Sequence, residues 1–263
     1  MFNYDFIQNA FISGTLIAIT SGIVSFFVVL RRAVFATHSL GHISFTGATG
    51  AALLNCSIMN GQLTVNIIAA IIMGILIKKT KKNDLAIGII LTFFLACGSC
   101  FLYLHQTYYP GSIMSVLFGN ILAVSEHQIN TLFVLSCIII VSLAVISRAL
   151  FLCSIDPVTA EAKNIPNHLL SVIFFIILAL TVTMVCQIVG ALLVFTLLVG
   201  PGAAAFQISD GFYKTIAWSV SIALISVWSG LIFSIYVDLP VSFCTTITIC
   251  CIYLFGLIKL TFK

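Results

Sequence analysis

Eight long apolar stretches, separated by short breaks, make up most of this 263-residue chain. They cover residues 6–30, 34–54, 63–77, 85–104, 129–146, 168–206, 215–236 and 241–258. A helix needs about 20 apolar residues to cross a bilayer, and most of these stretches reach that length once their ends are extended. Only 7% of the residues are charged, against about 25% in a soluble domain. The sequence therefore predicts an all-α, polytopic membrane protein in which residues 1–263 form a single transmembrane domain.

Residues 168–206 form the one apolar stretch that is too long for a single crossing. A straight helix of this length would approach ~60 Å, roughly twice the thickness of the hydrocarbon core. We expect the stretch to break or turn within residues 187–190, which gives the chain eight or nine transmembrane helices. Because Gly200-Pro201-Gly202 interrupts its end, a short re-entrant element in place of one crossing is the alternative.

The basic residues lie only in alternate connections and at the C-terminus. They are Arg31, Arg32, Lys78, Lys79, Lys81, Lys82, Arg148, Lys163, Lys214, Lys259 and Lys263. Basic connections of membrane proteins face the cytoplasm. This alternation holds if residues 168–206 cross twice, so it favours nine crossings. It predicts a multi-pass protein of the cell (inner) membrane, with the N-terminus outside and the C-terminus in the cytoplasm.

Two histidines stand out in the second apolar stretch. His38 and His42 are four residues apart and therefore share one face of a helix. Ionisable side chains inside a membrane are costly and are functional candidates by default. Two imidazoles at this spacing can bind one divalent ion, zinc in particular, although they fill only half of a tetrahedral shell. The alternative is a structural pair bonded to neighbouring helices, but the spacing in an otherwise apolar span favours a metal site.

The connection RALFLCSIDPVTAEAKNIPNH is unusually polar for this chain. Ser154 or Asp156 can cap a helix, Pro157 suits its first turn and Pro166 ends it. The sequence thus predicts a short cytoplasmic helix at about residues 156–166. Composition alone leaves open whether this is an ordinary loop or a docking element.

Several classes of function are excluded by what the sequence lacks. It contains no GxxxxGK[ST] loop, so any ATP hydrolysis belongs to another chain. Its basic residues flank membrane segments and do not form a nucleic-acid-binding patch. Three hypotheses remain: a permease served by a separate ATPase, an ion-coupled secondary carrier, or a membrane-embedded metalloenzyme. The last is the weakest, since no span contains a candidate acid to act as a general base.

Five segments resemble, in the same order, motifs of the metal-type ABC permeases that import zinc, manganese and iron. They are FFVVLRRAVFATHSLGHISFTGATGAALL, DLAIGIILTFFLACG, SIMSVLFGNILAVS, IDPVTAEAKNIPNHLL and QIVGALLVFTLLVGPGAAA. The resemblance covers most of the chain and implies a permease domain with the metal/vitamin B12-type ABC importer fold. The partners it implies are cytoplasmic ABC ATPase subunits, an extracytoplasmic metal-binding protein and a second permease copy, normally as a homodimer.

The resemblance also implies roles for particular residues. The family carries an Asp and a His four apart on this span, so His42 takes the His position and His38 replaces the Asp. A pair of imidazoles leans towards zinc as the transported metal, with manganese or iron as the alternative; no permanently bound cofactor is expected. The short cytoplasmic helix becomes the element that couples to the ATPase. Its candidate residues are Asp156, Pro157, Ala160, Glu161, Ile165 and Pro166.

Overall fold

A computed structural model of the chain describes residues 5–79, 83–104, 119, 121, 124–237 and 239–261, which contain ten α-helices and no β-strand. The helices are α1 (Asp5–Leu30), α2 (Val34–Leu53), α3 (Ile58–Lys79), α4 (Asn83–Leu104), α5 (Glu126–Ile155), α6 (Pro157–Ala162), α7 (Asn167–Val189), α8 (Ala191–Ile208), α9 (Phe212–Val237) and α10 (Val241–Thr261). The all-α, polytopic fold predicted from the sequence is confirmed.

Seven of the described helices are long and apolar enough to cross a membrane: α1, α3, α4, α5, α7, α9 and α10. The helix α2 has 20 residues and is long enough to cross, but its histidines, serines, threonines and glycines lower its hydropathy. The helix α8 is strongly apolar but, at 18 residues, is the shortest of the long helices. The two long helices outside this group of seven are neighbours in the fold, because α2 packs on α8.

The long apolar stretch divides at Gly190, within the range predicted for its break. Gly190 has φ 88° and ψ 156°, a conformation that glycine adopts without steric cost. At the start of α7, the Ser171 hydroxyl accepts a 2.8 Å hydrogen bond from Arg31. At the end of α8, Phe206 stacks on Phe26 with ring centroids 5.2 Å apart. Both helices therefore meet the same end of α1, here called the basic end, and they run in opposite directions.

The helix α1 lies in the middle of the bundle and packs on α5, α7, α8 and α9. Close approach to α8 depends on Gly202, whose N–H donates a 2.8 Å bond to the Ser25 hydroxyl. A Cβ at Gly202 would lie 2.5 Å from the Ser25 carbonyl oxygen. Small residues permit this backbone approach inside membranes, where packing and hydrogen bonds replace the hydrophobic effect as the force between helices.

The short helix α6 ends four residues before Pro166, where the sequence predicted its end. Asn164 adopts a left-handed conformation with φ 53°, and the N–H of Ile165 bonds back to the Ala160 carbonyl at 3.1 Å. This is the pattern of a Schellman-type C-cap. A single Asn therefore stops the helix, and the proline serves instead to start α7.

Part of the predicted outer connection, residues 105–118, lies outside the described residues, but the end of that connection packs into the bundle. The Asn9 amide donates to the Val124 carbonyl at 3.3 Å, and Ile121 is buried. Gly119 has φ 71°, and a Cβ there would lie 2.3 Å from the carbonyl carbon of Val189. The connection therefore makes backbone contact with the turn between α7 and α8.

Candidate functional site

His38 and His42 lie on one face of α2 with ring centroids 4.6 Å apart and ring planes at 83°. Both side chains are half-buried. His38 also packs edge-on against Phe195 of α8, at 5.3 Å between centroids. The open positions along this face continue with Phe35 and Phe45. The two imidazoles are close enough to bind one cation through a nitrogen of each ring, at the ~2.0–2.1 Å typical of zinc.

The histidine pair supplies only two ligands. Among the described residues, no group of three or more His, Cys, Asp or Glu side chains can hold a metal ion. A first-row divalent cation takes at least four ligands, so the pair needs water, undescribed residues or a second subunit to complete its shell. Since α2 leaves this face half-open between α4 and α8, such ligands have room to approach.

A buried amide on α3 fixes the opposite face of α2. The Asn66 side chain donates to the Ser44 hydroxyl of α2 at 2.7 Å and to the Thr183 hydroxyl of α7 at 2.9 Å. All three residues are buried, and Asn66 has no exposed surface. Asn66 was not among the residues predicted from the sequence, although a lone amide in an apolar span is a recognisable signal. Asn66 therefore links α2 to α3 and α7 on the side opposite the histidines.

Replacing Asn66 by Leu is expected to destabilise the protein by about 1–2 kcal/mol, because both inter-helix hydrogen bonds are lost. The loss stays moderate because Ser44 and Thr183 keep bonds to their own helices, at 3.1 Å and 2.9 Å. Thermal unfolding in detergent measures the effect. The matched control is Asn60→Leu on the same helix, where the side chain is exposed; equal midpoints for both variants would contradict the anchoring role.

Between the histidines and the basic end of the bundle lies a groove of about 490 Å³, which opens towards that end. Its walls are mostly apolar, and among the described residues that line it the one acidic side chain is that of Asp84, at the start of α4. The lining residues are Val29, Arg32, Val34, Phe35, His38, Asp84 and Phe195. The lower histidine and an exposed carboxylate therefore share one groove.

The helix α6 is anchored on one side and exposed on the other. Ala160 is buried at 1% exposure, whereas Val158 is 78% exposed. The carboxylate of Asp156 accepts bonds from the Thr159 hydroxyl and, at 3.1 Å, from its backbone N–H. These bonds hold the pKa of Asp156 below its ordinary value, so the cap stays ionised at neutral pH.

The other residues predicted for this segment lie around α6. Pro157, Glu161 and Pro166 are exposed, and Ile165 is half-buried. The structure therefore gives a capped helix whose outer side combines polar residues with an apolar one, Val158. That apolar side chain was not singled out from the sequence, because only the fold shows which side of such a short helix is free.

Known proteins are similar to this chain along almost its whole length. The model of the ABC 3 transport family matches residues 3–260. The manganese transport system membrane protein MntC of Listeria monocytogenes is 28% identical over 235 residues, covering 89% of this chain and 83% of that protein. A probable iron transport system membrane protein of Haemophilus influenzae is 26% identical over 242 residues, covering 92% and 89%.

A solved structure has the same fold. PsaBC from Streptococcus pneumoniae, in complex with Fab, superposes with a TM-score of 0.85 at 24% identity. The superposition covers 97% of this chain and 91% of the other. At this level of identity, the likeness concerns the arrangement of helices.

Proposed function

Because this chain belongs to the ABC 3 transport family, we propose that it is the membrane permease subunit of an ATP-binding-cassette importer for a divalent transition metal. The observation that carries the proposal is the pair of half-buried imidazoles, 4.6 Å apart, on the open face of a membrane helix. Such groups are retained inside a membrane where they meet a substrate or an ion. Relatives described as manganese and iron transport proteins support a metal as that substrate.

The relatives favour manganese or iron over the zinc expected from the sequence. Their descriptions name manganese and iron, so we take manganese as the principal substrate. Zinc is the second candidate because His38 stands where the family resemblance places an Asp. Imidazole nitrogen suits zinc, whereas carboxylate oxygen suits manganese, and zinc binds the same ligands more tightly in the divalent series.

The partners follow from what the chain lacks. It has no phosphate-binding loop, so we assign ATP hydrolysis to separate cytoplasmic subunits that dock on α6. An extracytoplasmic metal-binding protein would deliver the metal, and a second copy of the chain would cover the open face of α2. The positive-inside rule places the basic end, with Arg31 and Arg32, in the cytoplasm of a cell-membrane protein.

Reconstitution tests the class of transporter. Liposomes that contain the permease with its ATPase, supplied with the metal-binding protein on the opposite side, should take up radioactive manganese only when ATP is present on the ATPase side. Liposomes that contain the permease alone should not accumulate the metal, even with a proton or sodium gradient. Uptake driven by such a gradient without an ATPase would identify a secondary carrier and refute the proposal.

The substitution His38→Asp tests the selectivity. Restoring a carboxylate next to His42 should raise the ratio of manganese to zinc uptake on the order of tenfold, or ~1.4 kcal/mol. Competition between the two isotopes in the same liposomes measures that ratio. His127→Asp is the control, since His127 is exposed on α5; an unchanged ratio for His38→Asp would remove this position from selectivity.

A further inference from the structure

The helices α2 and α4 lie side by side and run in the same direction. A Cβ on Gly88 would lie 3.9 Å from the Phe35 ring, and one on Gly98 would lie 2.8 Å from the Thr46 hydroxyl. That hydroxyl also donates a 2.7 Å bond to the Phe94 carbonyl of α4. Residue numbers rise in the same direction along both helices of this contact. The contacts therefore give the height of each α4 residue along the bundle relative to α2.

On this register, Asp84 lies below the histidines. It comes four residues before Gly88, and His38 comes three residues after Phe35. At about 1.5 Å per residue, the two lie about 10 Å apart along the bundle. Both nevertheless line the same groove, whose other described lining residues are apolar apart from Arg32. His42, His38 and Asp84 thus follow one another towards the basic end.

Seven residues of rise are about two helical turns, so Asp84 lies two turns below His38 and not at the level of the histidine pair. This agrees with the lack of a three-ligand cluster among the described residues. A dication that leaves two neutral imidazoles must instead pass apolar walls and the positive charge of Arg32. A carboxylate at the mouth offers it an oxygen ligand and offsets that charge.

We propose that Asp84 is an exit ligand, which takes the divalent metal after it leaves His38 and releases it at the basic end. The inference rests on the proposed function, since it needs metal to move through this groove. Asp84 is exposed at the mouth, so the metal is handed from nitrogen to oxygen and then to solvent. Asp84 therefore governs the rate at which the metal is released and not the affinity of the histidine pair for the metal.

Two matched variants test the proposal, Asp84→Asn and Asp210→Asn. Both residues are exposed acids, and both substitutions remove one negative charge, but Asp210 does not line the groove. In liposomes with the ATPase, Asp84→Asn should lower the maximal rate of manganese uptake on the order of tenfold, with KM unchanged. Asp210→Asn should match the wild type, and Asp84→Glu should restore most of the rate. Equal rates for both Asn variants would overturn the proposal.

A cysteine at the same position gives a second measurement that does not depend on a loss of activity. Asp84→Cys places a thiolate, a soft ligand, at the groove mouth and should make uptake sensitive to cadmium added on the ATPase side. Asp210→Cys carries the same native cysteines and should be no more sensitive than the wild type. Equal sensitivity of the two variants would again overturn the proposal.

The two failures are distinguishable. If the wild-type chain with its ATPase and the metal-binding protein shows no ATP-dependent uptake, the proposed function fails. If the wild type transports manganese and Asp84→Asn does so at the same maximal rate, only the exit ligand fails.

Discussion

Replacing His38 and His42 together by Ala is expected to lower ATP-dependent metal uptake on the order of a hundredfold, or ~2.8 kcal/mol of lost metal stabilisation. The pair supplies all the nitrogen ligands on this face of α2, and no third His, Cys, Asp or Glu among the described residues joins it in one site. Initial rates of manganese and zinc uptake in reconstituted liposomes measure the effect. The amount of inserted protein is checked in the same preparations.

A matched pair of histidines controls for general damage. His127 is exposed and His168 is half-buried, and neither lies on α2. The double variant His127→Ala with His168→Ala should transport at close to the wild-type rate. Transport at the wild-type rate by the His38→Ala, His42→Ala variant would show that the metal takes another route.

Replacing Val158 by Asp is expected to uncouple the permease from its ATPase, with uptake and ATPase binding falling on the order of tenfold or more. Val158 is 78% exposed on α6, so it contributes little to the fold but is free to enter an apolar pocket on a partner. A carboxylate there would be buried without a counter-charge, which disfavours docking. Co-purification of the ATPase with the tagged permease measures binding directly.

The stability of the permease separates docking from folding. An acid near the start of α6 is compatible with the helix dipole, so the thermal midpoint of the Val158→Asp variant should equal that of the wild type. Val158→Thr, which keeps the shape, should bind the ATPase almost normally. Normal binding by Val158→Asp would remove α6 from the coupling surface or place the contact on its other residues.

The helices were predictable because their apolar stretches are long. The length of residues 168–206 required a break, and the predicted range 187–190 contains the observed one at Gly190. The sequence also indicated which helix carries the histidines. That helix was recognised because polar connections bound it on both sides. Its mean hydropathy is lower than that of the seven helices that are apolar enough to cross a membrane. A polar span is tolerated here because its neighbours, and not lipid, cover most of it, with its serines and threonines bonded to helix carbonyls.

The parts that were not predictable depend on register between distant helices. The exposure of Val158, the bonds of Asn66 and the common groove of His38 and Asp84 each require knowing which side of one helix meets another. The early end of α6 depends on a left-handed Asn164, which overrides the expectation placed on Pro166. Charge and hydropathy determine where helices begin and end, but they carry little information on how helices are rotated.

The central position of α1 has a consequence for biosynthesis. This helix is made before α8 and α9, yet its Ser25 hydroxyl and Gly22 carbonyl accept hydrogen bonds from residues 177 and 197 positions later in the chain. Four of its hydroxyl residues are fully buried in the finished protein: Ser13, Thr20, Ser21 and Ser25. Until α8 and α9 leave the ribosome, the Ser25 hydroxyl and the Gly22 carbonyl lack these inter-helix partners. The helix α1 therefore completes its packing only after α8 and α9 have been made, and assembly of the bundle is completed late in translation.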